Sequence, residues 1–268
     1  MWKARVSTDE KEAKTAEKAA EKQAKKAEQA AASAAKKDSV QDNKNKSRRE
    51  TLHELVIEIS TELADKDAYF QKLLPDLNTL LRGKDGDKPS TYTVFVPPDE
   101  ISDAKLVRWR RYTNKYLDQN TNTWIRYEDS RERCYIEKTI LMFIRVKELV
   151  EIVQKGKSAL LNYINLIRNE AKCQGSDWQF FFLVEGMKAF GRGETNRANR
   201  ESKAEARGKS AGGSNKQKAS SVSFDEMNME LTRLDMIGSC IVQKCDGPEE
   251  TTRLLHELSM DISYRPYK

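Results

Sequence analysis

The sequence predicts a three-layer α/β domain over residues 51–268. Short apolar runs that suit buried strands alternate along this part of the chain with amphipathic helical patterns. Residues 139–146 form the densest block of β-branched and large apolar side chains, in a chain of which 34% is charged. A continuous apolar run of this kind is typical of a strand buried on both faces. From Lys147 onward apolar residues recur at helical spacing, so we expect this strand to pass directly into a helix.

Residues 1–50 differ in composition and are predicted to form a basic leader. Ala, Lys, Glu and Gln dominate this segment, and large apolar side chains are almost missing. These residue types favour a helix, but a helix without an apolar stripe has nothing to dock against a core. We therefore expect a solvated leader, helical or disordered. The alternative is a basic arm that lies on phosphate groups, and the basic residues 44–49 would also suit nuclear import.

The remaining elements follow from hydrophobic periodicity and turn signals. Besides the central run, the predicted strands are residues 55–60, 92–96, 178–184 and 239–243. The predicted helices are residues 68–82, 147–153, 158–172 and 224–234, with a last helix opened by Pro248. Pro75 should kink or interrupt the first of these helices. Residues 191–221 contain no large apolar residue after Gly191 and are rich in Gly, Ser, Asn, Lys and Arg, which predicts a disordered insert.

Residues 106–112 suit a strand almost as well as a helix. As a strand, Arg108 and Arg110 would share one face, and Trp109 and Arg111 the other. Residues 124–127 look like its hairpin partner. Interleaved basic and aromatic side chains suit nucleic acid, because guanidinium groups neutralise phosphate while rings stack on bases. The predicted DNA-binding residues, whose charges should be removable with little effect on folding, are Arg108, Trp109, Arg110, Arg111 and Tyr112. The alternative is an exposed, solvated hairpin.

Charge and cysteine content bound the class of protein. The net charge of +6 and the pI near 9.0 fit a nucleic-acid or acidic partner. The four cysteines form no C-x-x-C pair, and with only two histidines no zinc site is legible. No signal peptide opens the chain, and no apolar stretch reaches the roughly 18–20 residues of a membrane span. We expect an intracellular protein with reduced thiols and no membrane partner.

The order of these segments resembles the nuclease domain of the XPF family of structure-specific endonucleases, and within it the noncatalytic subunits of heterodimeric crossover-junction endonucleases. The resemblance covers residues 51–268. It includes the first strand, the V-R-W-R-R segment, the strand–helix at residues 139–153, the F-F-F-L-V-E-G strand and the closing strand and helix. It implies a restriction-endonuclease-like fold around a central mixed sheet. The tandem helix-hairpin-helix domain that follows in the family is expected to be absent, because no pair of hairpin glycines with apolar flanks appears after Ser221.

The catalytic motif of the family is degenerate in this chain. Active members carry E-R-K-x-x-x-D at the strand–helix junction, and the matching residues here are Ile144, Arg145, Val146 and Val150. Hydrolysis of this type needs carboxylates that hold Mg²⁺ and lower the pKa of its water, which isoleucine and valine cannot do. The resemblance therefore implies no metal bound by this chain, with Mg²⁺ used by a catalytic partner. Other acids that could form a displaced metal site are Glu58, Glu128, Asp129 and Glu137.

The end of the chain is the predicted partner surface. A narrow leucine stripe after an edge-like strand could bury one row and leave apolar area exposed, and in the family this end resembles a self-complementary face. The predicted interface residues are Cys240, Ile241, Val242, Leu254, Leu255 and Leu258. The alternative is that all three leucines pack on their own sheet.

Three functions remain open at this point. The first is an architectural, noncatalytic subunit that pairs with a catalytic XPF-type subunit on branched DNA (flaps, forks and nicked four-way junctions) in the nucleus. The second is an autonomous Mg²⁺-dependent nuclease that uses displaced acids. The third is a module that binds only protein partners.

Overall fold

The computed structural model describes most of the chain in two compact units, residues 1–46 with 114–132 and residues 47–113 with 133–268. The described residues are 22–30, 33, 37, 48–82, 91–118, 120, 121, 123–128, 131–156, 158–173, 177–206 and 222–265.

Helices and strands alternate through the larger unit as the sequence predicts. The helices are α1, described over residues 22–30, α2 (Arg48–Leu52), α3 (Ala68–Arg82), α4 (Val146–Val153), α5 (Ala159–Glu170), α6 (Met187–Ala206), α7 (Phe224–Ile237) and α8 (Pro248–Tyr264). The strands are β1 (Leu55–Ser60), β2 (Thr91–Phe95), β3 (Leu106–Thr113), β4 (Lys115–Asp118), β5 (Thr123–Arg126), β6 (Arg133–Arg145), β7 (Gln179–Glu185) and β8 (Cys240–Cys245). The described residues also include a π-helix at Glu62–Lys66 and a 3-10 helix at Asp99–Ile101. Of these elements, α1, β4 and β5 belong to the smaller unit.

A six-stranded mixed sheet in the order β2-β1-β3-β6-β7-β8 forms the centre of the larger unit. Strand β3 runs antiparallel to both of its neighbours, β1 and β6. The pairs β1–β2, β6–β7 and β7–β8 are parallel. This arrangement confirms the predicted α/β class and the mixed central sheet.

Helices cover both faces of the sheet, so the larger unit has three layers. Alternate residues of β6 divide between the two cores: Ile140, Met142 and Ile144 join the core that includes residues of α4, α5 and α7. Leu141 and Phe143 face the opposite way and join the core that includes residues of α2, α3 and α8. Both faces of β6 are therefore buried from residue 139 to residue 144, as its continuous apolar run predicts.

Helix α3 continues through Pro75 instead of stopping there. Proline removes one backbone hydrogen bond and costs about 3 kcal/mol in a helix interior. The apolar side chains Phe70, Leu73, Leu77 and Leu81 are all buried. This burial, on both sides of the proline, offsets the lost bond.

The predicted pairing of residues 106–112 with residues 124–127 is wrong. Strand β3 lies in the interior of the six-stranded sheet, and β5 instead pairs with β4 in a separate two-stranded hairpin. Within that hairpin the rings of Tyr116 and Tyr127 lie 5.3 Å apart, and the Lys115 ammonium lies 5.1 Å from the Trp124 ring centroid. The turn signals over residues 118–122 correctly predict a hairpin loop. The strand that enters this hairpin is the four-residue β4, and not β3.

Residues 191–206 belong to helix α6, so the structure differs from the predicted disorder over this part of the insert. The start of the helix packs against α7: a Cβ at Gly191 would lie 2.9 Å from Cε2 of Phe224. The backbone N–H of Phe224 donates to Oε2 of Glu194 at 2.8 Å. A glycine that permits a close approach therefore fixes the helix start where the composition alone favours disorder. The rest of the insert, residues 207–221, lies outside the described residues.

None of the helices in the described part of the chain is both long enough and apolar enough to cross a membrane.

Candidate functional site

The candidate site lies where β6 ends at Arg145 and α4 begins at Val146. The carboxyl ends of the parallel strands β6, β7 and β8 meet at the same edge of the sheet, and each strand is followed closely by a helix. In open α/β sheets ligands commonly bind at this edge. The sequence correctly predicts the direct passage from strand to helix, which places Ile144, Arg145, Val146 and Val150 there.

The aliphatic residues of the motif are part of the core. Ile144 and Val150 are buried between the sheet and its helices, and Val146 packs against the same cluster. Cγ1 of Val146 would lie 3.4 Å from a Cβ at Gly186, a residue held at a φ of +92°. These side chains fill the junction with hydrocarbon and carry no atom that can bind a metal ion.

A four-membered ion cluster, formed by Asp67, Lys105, Arg145 and Glu148, occupies the polar side of the junction. The Lys105 ammonium lies 2.6 Å from Oδ2 of Asp67 and 2.5 Å from Oε1 of Glu148. The Arg145 guanidinium lies 3.0 Å from the same oxygen of Glu148 and 3.6 Å from Oδ2 of Asp67. Two cations, Lys105 and Arg145, thus hold two carboxylates.

Both carboxylates of the ion cluster also begin helices. Oδ1 of Asp67 accepts hydrogen bonds at 3.0 Å from the backbone N–H groups of Tyr69 and Phe70 in the first turn of α3. Oε2 of Glu148 accepts from the backbone N–H of Arg145, at the start of α4. The cluster therefore fixes the beginnings of two helices to each other as well as balancing charge.

The electrostatics of the ion cluster favour ionised acids. Burial alone would raise the pKa of Asp67, but the Lys105 ammonium, the Phe70 amide and the charge of Arg145 outweigh it and hold that pKa below its usual value. Burial likewise opposes ionisation of Glu148, yet Lys105 and Arg145 lower its pKa overall. Each carboxylate is ionised near neutral pH and has its charge already neutralised by a side chain.

A third acid at the same edge behaves differently. Burial raises the pKa of Glu185, at the end of β7, although hydrogen bonds from the Gly247 backbone and the Tyr69 hydroxyl and the charge of Arg145 partly oppose that rise. Among the described residues no group of three or more His, Cys, Asp or Glu side chains has an arrangement that could hold a metal ion.

Two of the four acids proposed for a displaced metal site, Glu58 and Glu137, are engaged by arginines. Glu58 is buried and contacts Arg108 and Arg110. Glu137 contacts Arg111 at 2.5 Å. Glu128 belongs to the smaller unit, and Asp129 lies outside the described residues.

The segment predicted to bind DNA is a central strand, and two of its five residues are withdrawn from the surface. Trp109 is 0% exposed, and its Nε1–H donates to Oγ of Ser259 at 2.9 Å. Arg111 is 1% exposed. A buried side chain cannot contact DNA in the folded protein, so Trp109 and Arg111 are structural residues. The reason is the interior position of β3, whose one face packs under α8.

Arg111 is a buried cross-link between strands and the end of α8. Its guanidinium donates to Glu137 at 2.5 Å and to Glu54 at 3.0 Å. It also donates to the backbone carbonyl oxygens of Ile262 at 2.9 Å and Ser263 at 3.1 Å. Burial lowers the pKa of Arg111, but the Glu137 and Glu54 carboxylates outweigh burial and raise it overall. The structure therefore predicts that removal of this charge destabilises the fold, against the expectation from the sequence that it has little effect on folding.

The opposite face of β3 carries the half-buried side chains Arg108, Arg110 and Tyr112. Nε of Arg108 lies 2.6 Å from Oε2 of Glu58, and Nη2 of Arg110 lies 2.8 Å from Oε1 of the same carboxylate. The Arg108 guanidinium also stacks 4.0 Å above the Phe95 ring centroid. Two guanidinium groups thus share one carboxylate on this face and leave an excess of positive charge.

The predicted partner surface is divided between core and surface. Cys240 and Leu255 are buried, and Leu254 and Leu258 are half-buried against the core. The alternative that the leucines pack on their own sheet therefore describes Leu255 fully. Strand β8 is an edge of the sheet, as predicted, and on it Ile241 is exposed and Val242 is half-buried.

Residues that the sequence reasoning missed lie on α7. Met236 is 79% exposed and Ile237 is 65% exposed, and Met229 is exposed seven residues before Met236 on the same helix. Their apolar character is visible in the sequence. Only the burial of Met227, Leu231 and Leu234 shows which side of α7 faces the core and which side stays exposed. The ion cluster was also missed, because Asp67, Lys105 and Glu148 are far apart in sequence.

Comparisons with known proteins do not assign the chain. No protein-family model matches it, and no curated protein matches it.

Proposed function

We propose that this chain is a noncatalytic, DNA-binding subunit of a structure-specific endonuclease complex that acts on branched DNA in nuclear recombination and repair. The observation that carries the proposal is the chemistry of the junction. Its motif positions are aliphatic, and its nearby carboxylates, Asp67 and Glu148, are neutralised by Lys105 and Arg145. A nuclease-like domain with this junction would keep its fold and leave hydrolysis to another subunit.

The positively charged side chains Lys105 and Arg145 already neutralise the carboxylates of the junction. Mg²⁺-dependent hydrolysis needs carboxylates free to bind the ion and lower the pKa of its water. At this junction the carboxylates already contact side-chain cations, and a metal ion would have to displace both Lys105 and Arg145 to bind them. We propose that Mg²⁺ is bound by a catalytic XPF-type partner and that this chain binds none.

The proposed partner surface combines the β8 edge with the exposed side of α7. An edge strand presents unpaired backbone groups, and exposed apolar side chains beside it favour association. Met229, Met236, Ile237 and Ile241 provide such side chains without any need to unpack the core. This revises the predicted surface by replacing the buried Leu255 and Cys240 with residues of α7.

The proposed DNA surface is the half-buried face of β3. Arg108 and Arg110 share one carboxylate, so the group retains one net positive charge (two guanidinium groups against one carboxylate). Tyr112 lies on the same face and provides a ring for stacking. Contacts of this kind position phosphates with little dependence on sequence.

Two measurements test the proposal, one on the isolated chain and one on the chain recovered from nuclei. The isolated chain should not cut labelled flap, fork or nicked four-way-junction DNA with Mg²⁺ or Mn²⁺. The tagged chain recovered from nuclei should carry a stoichiometric second subunit, identified by mass, and that complex should cut the same substrates. Cleavage by the isolated chain that is lost in Glu58→Ala would instead support the displaced-acid nuclease.

The partner surface has its own matched control. Met236→Glu should abolish recovery of the second subunit, while Leu166→Glu, at an exposed apolar residue on α5, should leave it unchanged. Both variants should fold, because neither side chain is buried. Equal recovery with both variants would show that pairing uses another surface.

A further inference from the structure

A cleft of about 380 Å³ lies away from the ion cluster, toward the start of β6. Its walls are mostly apolar and include Phe95, Leu106, Ile140 and Trp178. Ile136 lies on the exposed part of β6 and lines the cleft as well. A volume of this size is within the range of roughly 300–1,000 Å³ in which proteins bind small ligands or single large side chains.

The cleft continues onto a part of the sheet that is exposed. Thr91 and Thr93 on β2 and Cys134 on β6 are exposed on the face that carries Arg108 and Arg110. An occupant of the cleft can therefore extend over a strip of neighbouring surface. This favours an extended polypeptide over a small molecule that ends within the cleft.

The walls favour an apolar group over a nucleobase. Base edges carry donors and acceptors that lose water on entering a cleft, and each unpaired group is costly. The deep walls offer rings and aliphatic side chains, whereas the charged lining residues are Arg108, Glu170 and Lys172. Burial raises the pKa of the Cys173 thiol in the lining to about 11, against the opposing charges of Arg108 and Arg168, so this group is neutral near pH 7.

The charges around the cleft favour an anionic occupant. Arg108 and Arg110 leave one net positive charge after their shared contact with Glu58. Lys172 and Glu170 balance each other in the lining. Arg168, on α5, is close enough to act on the Cys173 thiol and adds a further positive charge. Acidic groups beside the apolar anchor would complement this excess.

We propose that this cleft docks a partner protein through one large apolar side chain flanked by acidic residues in an extended segment. The cleft shares no residue with the ion cluster or with the α7 surface, so the inference does not depend on the chemistry of the junction or on the proposed pairing. It does share Arg108 with the proposed DNA surface, and peptide and DNA would therefore compete there. Recognition of a side chain by an apolar pocket, with specificity from adjacent charges, is a common mode of peptide binding.

Three probes of nearly equal size test the chemistry: 3-phenylpropanoate, 3-phenylpropanamide and 3-phenylpropylammonium. The whole chain is labelled with 5-fluorotryptophan, and the ¹⁹F signal of Trp178 is assigned by its loss in Trp178→Phe. We expect the carboxylate to shift this signal saturably, with a Kd of about 1 mM, and the buried Trp109 signal to stay in place. The ammonium should bind about tenfold more weakly than the carboxylate, with the amide between them. Equal binding of the three probes, or no shift at Trp178, would overturn the proposal.

Two pairs of variants locate the binding. Ala171→Phe should fill the cleft and remove the shift, whereas Ala159→Phe, at the other end of α5, should keep it. Ile136→Glu places a carboxylate in the lining and should weaken the acid probe at least about fivefold. Its control is Ile125→Glu, because Ile136 and Ile125 are 39% and 38% exposed on their strands. Equal shifts within either pair would refute the assigned position.

A peptide separates docking from binding of a small molecule. A synthetic peptide with one phenylalanine between two pairs of glutamates should displace 3-phenylpropanoate and bind at least about tenfold more tightly, because it also contacts the open strip of sheet. Its phenylalanine-to-alanine version should not displace the probe. A peptide no tighter than the probe would overturn the docking proposal. Displacement of the probe by a single-stranded oligonucleotide but not by the peptide would assign the cleft to nucleic acid.

Discussion

Replacing Arg111 by methionine should destabilise the protein more than any other single loss of charge on β3. Methionine has a similar length but no donor, so the variant removes the guanidinium contacts of two carboxylates and two helix-end carbonyl groups. Glu54 and Glu137 are only 16% and 14% exposed, so water replaces the lost contacts incompletely. The variant therefore measures how much the buried guanidinium contributes to the free energy of unfolding.

The magnitude follows from those contacts. Breaking a buried ion pair by removal of one partner costs about 3–5 kcal/mol, and we take about 4 kcal/mol for Arg111→Met. Arg110→Gln is the matched control, because it lies on the same strand, is half-buried and leaves Glu58 in contact with Arg108. Its cost should be about 1 kcal/mol. Arg111→Lys keeps the charge but not the fork of donors and should fall between the two.

Urea denaturation followed by circular dichroism measures the difference. With an m-value of about 2 kcal/mol per molar urea, a loss of about 4 kcal/mol moves the midpoint down by about 2 M, and the Arg110→Gln midpoint by about 0.5 M. Equal midpoints for Arg111→Met and Arg110→Gln would refute the reasoning, because they would show that the end of α8 does not need the Arg111 contacts.

Two further predictions concern the junction and helix α6. Asp67→Asn keeps an acceptor for the start of α3 but loses the ion pair with Lys105. Because the pKa of Asp67 is lowered in the folded state, its carboxylate stabilises the fold above the usual pKa of 3.8, and this stabilisation is lost as the pH falls below that value. The unfolding free energies of wild type and Asp67→Asn should therefore differ by about 1–3 kcal/mol at pH 7, and the difference should shrink as the pH falls below 3.8; a constant difference would contradict the ion-pair account. Gly193→Ala meets no atom within 4 Å and should stabilise α6 by about 0.5–1 kcal/mol, whereas Gly191→Ala should gain nothing or lose stability because its Cβ would lie 2.9 Å from Phe224; equal melting temperatures would show that α6 does not pack there.

The corrections to the predicted DNA-binding segment share one cause, which is the position of strand β3. Its sequence shows alternating basic and aromatic residues, and such alternation describes a strand with two different faces without saying which is buried. The structure places Trp109 and Arg111 beneath α8 and leaves Arg108 and Arg110 half-buried. A buried arginine is too costly to expect from composition, and it is stable here only because four acceptors from three distant segments meet at its guanidinium.

The sequence by itself determined the α/β class, the positions of most strands and helices, and the passage from β6 into α4 with the aliphatic side chains Ile144, Val146 and Val150. These features depend on local periodicity and on which residue types can be buried, and both can be read along the chain. Only the tertiary structure decided the strand order, the burial of Arg111, the ion cluster at the junction and the exposed side of α7. The physical reason is that each of these depends on side chains from separate segments meeting in space, as Lys105 does with Asp67 and Glu148, and the energy of such contacts exists only once the sheet has assembled.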